Sequence, residues 1–163
     1  EILYWLVANV SKGGNLLLNV GPDGYGVIPP EAVSNLQKVG EWLKVNGSAI
    51  YGTKPWHIDH EGNSALKMGG TEHRKKAKLD FNFGNDDFWF TRKEDKVYAI
   101  ALARPEGRSI LVKSLINEPI DKIRLLGQKS FLHWGKTPSG VEVQLPAFMA
   151  DGIGYALEVT LAD

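Results

Sequence analysis

Apolar and polar positions follow two different rules along this chain, and the change falls near Ile50. In the first twelve residues Ile2, Leu3, Leu6, Val7 and Val10 recur at helical spacing, and Gly13-Gly14 then offers the left-handed turn through which helices commonly end. Asn15–Val20 reads NLLLNV, an apolar run without alternation, which predicts a short strand covered on both faces as in a parallel sheet. The rival reading, a buried helical turn, is disfavoured by the glycines on either side. Gly21–Pro29 is a loop rich in Gly and Pro, and Pro30 opens a helix that places Val33, Leu36, Val39 and Leu43 on one face and closes at Asn46-Gly47. Helix, strand, loop and helix in that order make one turn of an α/β structure, either a barrel or a doubly wound sheet.

Beyond Ile50 short alternating stretches replace the helical ones, punctuated by Gly, Pro and aromatic residues. Strands are predicted at Phe88–Thr91, Val97–Ala103, Ser109–Ser114, Ile120–Leu126, Phe131–Trp134, Val141–Leu145 and Tyr155–Leu161, the spacing of an antiparallel sandwich. Tyr98, Ile100 and Leu102 alternate with Val97, Ala99 and Ala101, and both sets are apolar, so this sheet is expected to be covered on two faces. Residues 57–85 are more polar and less periodic and read as a long connection with one extra strand near Leu79–Phe83. The division is therefore an α/β portion over 1–56 and a β portion over 57–163. A lone parallel strand cannot pair its own edges or bury both faces. The front third is accordingly expected to be the end of something larger, with Leu16, Leu17 and Leu18 under-buried when it stands alone.

Composition narrows the partners more than the fold. Nineteen Lys and Arg balance nineteen Asp and Glu, so no global field favours nucleic acid or an anionic membrane. The absence of cysteine excludes a disulfide framework and a thiolate metal site. No apolar run approaches the roughly 18 residues of a membrane helix. With 163 residues, 43% of them hydrophobic, the chain can bury a sizeable core.

The candidate chemistry is sparse. Gly21-Pro22-Asp23-Gly24-Tyr25-Gly26 lacks the Lys-Ser/Thr of a nucleotide P-loop and does not open directly onto a helix, which argues against a phosphate site. Loops at the carboxyl ends of parallel strands are where α/β barrels build their active sites, so Asn19 could orient a sugar hydroxyl and Asp23 could accept a hydrogen bond from a ligand. Turn chemistry is the competing account of both, and the favoured one for Asp23. Glycoside hydrolysis needs two carboxyl groups, and no convincing pair presents itself, since Glu31 is better explained as a first-turn residue favourable to the helix dipole. His57-Ile58-Asp59-His60 suggests a metal, but His73 and His133 are distant in sequence and a solvated loop is the better reading. The basic run Arg74, Lys75, Lys76 and Lys78 lacks an interleaved stacking platform and also reads as a solvated loop. Trp42, Trp89 and Trp134 are expected to pack in cores or between domains instead of stacking on sugars, and Trp56 to fill a domain junction.

VSKGGNLLLNVGPDGYGVIPPEAV followed by LQKVGEWLKVNGSAIYGTKPW closely resembles the last barrel segment of the α-L-fucosidases of glycoside hydrolase family 29. FWFTRKEDKVYAIAL, IRLLGQ and VEVQLP resemble the carboxyl-terminal sandwich of the same enzymes. The fold this implies is an α/β barrel fragment, the last helix, strand and helix of a TIM-like barrel, followed by an all-β antiparallel sandwich. The function implied is removal of terminal α-L-fucose with retention, through a covalent glycosyl-enzyme. Family members carry the nucleophile and the acid/base on earlier barrel strands, positions that would precede Glu1, so the resemblance transfers no catalytic residue, metal or cofactor. It marks Asn19 and Gly21 as floor residues of the substrate pocket. Many relatives have an acidic residue before the glycine where this chain has Tyr25-Gly26, which weakens any contact that relies on a carboxylate there. The implied partners are a fucosylated glycan, bound through the complete barrel, and the remainder of that barrel, with a homo-oligomer open for the parent enzyme and neither nucleic acid nor membrane. The implied setting is periplasmic, secreted or lysosomal. A non-catalytic sugar-binding or structural sandwich module is the alternative.

Overall fold

The computed structural model describes residues 1–63, 83–147, 149 and 152–162. Helix α1 spans Ile2–Val10 and buries Leu3, Tyr4 and Val7. It ends as expected: Gly13, at φ 82°, turns the chain left-handed, and its amide and that of Gly14 bond to the carbonyls of Val10 and Asn9. Helix α2 spans Pro30–Asn46 with proline in its first turn, and a 3-10 turn over Gly47–Ala49 extends it. Its buried residues are Trp42 and Asn46, whereas Val33 is exposed and Leu36, Val39 and Leu43 are only half-buried. The expected apolar face is thus mostly open, because the sheet beneath reaches only the last turns of the helix.

Eight strands follow: β1 Lys54–Glu61, β2 Phe88–Lys93, β3 Lys96–Ala101, β4 Ser109–Val112, β5 Ile120–Leu125, β6 Trp134–Thr137, β7 Gly140–Gln144 and β8 Tyr155–Leu161. They form a five-stranded sheet in the order β1-β2-β3-β8-β5 and a three-stranded sheet in the order β4-β7-β6, and every pairing is antiparallel. The two sheets enclose the main core, built from Phe88, Phe90, Val97, Ala99, Leu157 and Val159 of the large sheet against Ile110, Val112, Val141 and Val143 of the small one. The alternate residues Trp89, Tyr98, Ile100 and Ala156 point the other way and make a second core with Leu3, Tyr4, Val7, Trp42 and Ile50. Both faces of the large sheet are therefore covered, as the double alternation in β3 predicts.

Four expectations need correction. Asn15–Val20 forms no strand; it has no regular secondary structure, and Leu17 and Leu18 stand 87% and 42% exposed. An apolar run has strand geometry only while a neighbour takes its hydrogen bonds, and none of the described strands pairs with it. Residues 57–61, assigned to a connection, instead form the second half of β1, an edge strand whose polar side chains on the open side hide the alternation. Trp56 on this strand belongs to the sandwich core and meets Phe90 at 5.0 Å between ring centroids, so it does not fill a domain junction. The sixth strand begins at Trp134, while Phe131 makes only an isolated bridge to Arg124 and stays 57% exposed. The strand proposed near Leu79–Phe83 lies outside the described residues except for Phe83, which is not in a strand.

Candidate functional site

The stretch from Gly14 to Pro29 joins α1 to α2 and carries both sequence-predicted site residues. Asn19 and Gly21 are exposed, and a Cβ added at Gly21 would meet nothing within 4 Å. Asp23 has another task. Its Oδ1 accepts the amides of Tyr25 and Val27, each at 2.9 Å, while its own amide bonds to the Val27 carbonyl at 2.9 Å and its carbonyl accepts the Gly26 amide at 3.0 Å. With Gly26 at φ 82°, these bonds make a closed polar turn, the turn chemistry favoured for Asp23 from sequence.

The histidines among the described residues do not converge on a metal. His57 lies 3.7 Å from Glu118, and His60 lies 3.7 Å from Asp87 with its ring 4.7 Å from that of Trp89. No group of three His, Cys, Asp or Glu side chains among the described residues could hold an ion. Burial holds the His60 pKa below its ordinary value, against the opposing pull of Asp87, Asp59 and Glu61. The basic run at 74–78 and His73 lie outside the described residues.

A buried ionic cluster on the outward face of the large sheet escapes sequence reading. Glu158 in β8 is only 5% exposed, and its Oε1 lies 2.8 Å from Arg124 Nε and 3.5 Å from Lys96 Nζ. The Tyr98 hydroxyl donates to Oε2 at 3.4 Å, and burial together with the adjacent carboxylate pushes the phenol up to about 12. In the string YALEVTL an acid at an outward position reads as solvent-facing. The available signal was that its cross-strand neighbour, Tyr98, alternates with an apolar set on a covered face. A second tie, Glu61 accepting the amides of Lys113 and Ser114 at 2.9 and 2.6 Å, closes the open edge of the sandwich. These groups brace the fold.

Residues 1–48 match the family profile described as alpha-L-fucosidase, and residues 82–161 match that of the alpha-L-fucosidase C-terminal domain. The chain belongs to the α-L-fucosidase family. The tissue alpha-L-fucosidases of Rattus norvegicus and Homo sapiens are each 37% identical over 147 residues, covering 90% of this chain and 27% of theirs. Among solved structures, the Thermotoga maritima alpha-fucosidase in complex with fucose superposes with a TM-score of 0.75 at 32% identity, over 98% of this chain and 33% of that one. The alpha-L-fucosidase isoenzyme 1 of Paenibacillus thiaminolyticus superposes with a TM-score of 0.70 at 30% identity, over 99% of this chain and 34% of its own. The chain thus spans about a quarter of the length of the curated α-L-fucosidases it matches, 27% in the rat enzyme. The likeness is to glycosidases of family 29, and the antiparallel sheets correspond to the fucosidase C-terminal domain.

Proposed function

We propose that the chain is the carboxyl-terminal portion of a retaining α-L-fucosidase that removes terminal α-L-fucose from glycans. Residues 1–53, with α1, the 14–29 stretch and α2, serve as the end of its catalytic barrel, and the residues from β1 onward as the sandwich domain. The observation that carries this reading is the 32% identity to a fucosidase solved with fucose, maintained over 98% of this chain, front third included. The exposure of Leu17, Leu18, Tyr25, Val27 and Ile28 supports it. A soluble protein rarely leaves such a run of large apolar side chains uncovered, and neighbouring barrel strands would cover it.

Retaining hydrolysis requires two carboxyl groups about 5–5.5 Å apart, one attacking the anomeric carbon and the other protonating the leaving oxygen. Asp23 is committed to its own turn and Glu31 stands exposed in the first turn of α2, so we assign both catalytic carboxyls to the remainder of a barrel that takes about 250 residues in full. Asn19 and Gly21 are assigned to the pocket floor. The test is an aryl α-L-fucoside assay on two preparations. No hydrolysis by these 163 residues and turnover by a polypeptide that adds the upstream barrel is the expected pair of results. Turnover by the pure 163-residue chain overturns the assignment of the carboxyls, and an inactive extended polypeptide overturns the function. Saturable binding of fucose by the short chain alone would favour the sugar-binding module instead.

A further inference from the structure

The 14–29 stretch is irregular, yet the helices on either side of it are fastened to the same sheet. On the carboxyl side of the stretch, at the far end of α2, the Trp42 indole N–H donates to the Gly154 carbonyl at 3.2 Å, Asn46 Oδ1 accepts the Ala156 amide at 3.1 Å, and the Thr91 hydroxyl donates to the Ala49 carbonyl at 2.7 Å. Asn46 also donates to the Trp42 carbonyl at 3.2 Å, so one buried amide side chain joins helix and strand. Gly154 sits at φ 120°, and a Cβ there would collide with the Ala101 carbonyl oxygen, so glycine lets this segment lie close against the end of β3. At the amino end, Tyr4 of α1 stacks on Phe83 and meets Trp89 edge-on, with ring centroids 5.3 and 5.7 Å apart. The turn leaving α1 presses on β1, since a Cβ at Gly13 would come 2.9 Å from Pro55 Cγ. Buried hydrogen bonds and close-packed rings resist small displacements, because each has one satisfied geometry and a penalty for leaving it.

We propose that the outer face of the five-stranded sheet is a two-point clamp that holds α1 and the last turns of α2, the helices flanking the 14–29 stretch, making Trp42, Asn46 and Thr91 positioning residues for Asn19 and Gly21. The part that concerns substrate rests on the function proposed above; the clamp itself does not. It gives the sandwich a role in catalysis without contact to sugar, by setting where one wall of the pocket stands.

Hydrogen exchange on the 163-residue chain tests the clamp. The amides of the last two turns of α2 should exchange as slowly as those of β8, since a clamped helix opens only with its sheet. Thr91→Val and Trp42→Phe keep the packing and each remove one tie, and each should raise exchange at the end of α2 about tenfold relative to β8, the equivalent of one lost hydrogen bond. An α2 that exchanges far faster than β8 before any substitution overturns the clamp, as does an unchanged ratio in both variants. In the extended polypeptide, Trp42→Phe should raise KM for an aryl α-L-fucoside several-fold with kcat little changed, and an unaltered KM overturns the positioning role. Absence of any hydrolysis by that polypeptide removes the function while leaving the exchange result to judge the clamp.

Discussion

Glu94 has φ 55°, and no other described residue besides glycine has a positive φ. It sits in the two-residue turn between β2 and β3, where Lys93 pairs with Lys96 and the right-handed twist of the strands demands left-handed backbone. A glutamate pays a steric cost there that glycine avoids, so Glu94→Gly should raise the stability by about 0.5–1 kcal/mol, read from the denaturant midpoint. The turn was legible in KEDK as a break between two apolar runs, but the strain belongs to the register and was not. His60 makes a second case. Its folded pKa lies below the ordinary 6.5, so as pH falls the unfolded chain takes up the proton first. The contribution of His60 is therefore fully present above pH 6.5 and is lost as pH falls through the folded value. His60→Gln should flatten the fall of the denaturant midpoint below pH 6.5, and an unchanged slope would mean that another group carries it.

The elements divide by how far they supply their own partners. Strands β2, β3 and β8 alternate cleanly and neighbour one another in the sheet, so their own patterns announce both faces. Strand β1 hides its alternation under Pro55, His57 and Asp59, because an edge strand keeps polar groups on its open side. What fastens it is Trp56 beneath and Glu61 at its end, and Trp56→Ala should cost about 3–5 kcal/mol by opening a cavity against Phe90, measured by chemical denaturation. Helix α2 shows the reverse problem. Its Val33, Leu36, Val39 and Leu43 stripe was plain in the sequence, yet the helix is held at Trp42 and Asn46, where the sheet happens to end. Periodicity reports which face of a helix is apolar, and the length of the neighbouring element decides how much of that face is used.

At the scale of the molecule, a sandwich with both faces of one sheet covered carries an apolar, unpaired stretch on its flank. Leu17, 87% exposed, contributes little to the fold as it stands, so Leu17→Ser should shift stability by no more than about 0.5 kcal/mol. The same substitution should reduce self-association, followed by sedimentation, since an uncovered apolar surface is what drives it. Local patterning was enough to name α1, α2, the central strands and the turn built on Asp23, because helix period, strand alternation and turn chemistry act between residues close in the chain. The course of Asn15–Val20, the core position of Trp56, the burial of Glu158 and the ties that Asn46 makes to β8 were settled elsewhere. Each depends on which distant segment supplies a hydrogen bond or excludes water, and those partners meet only when the sheets and helices assemble.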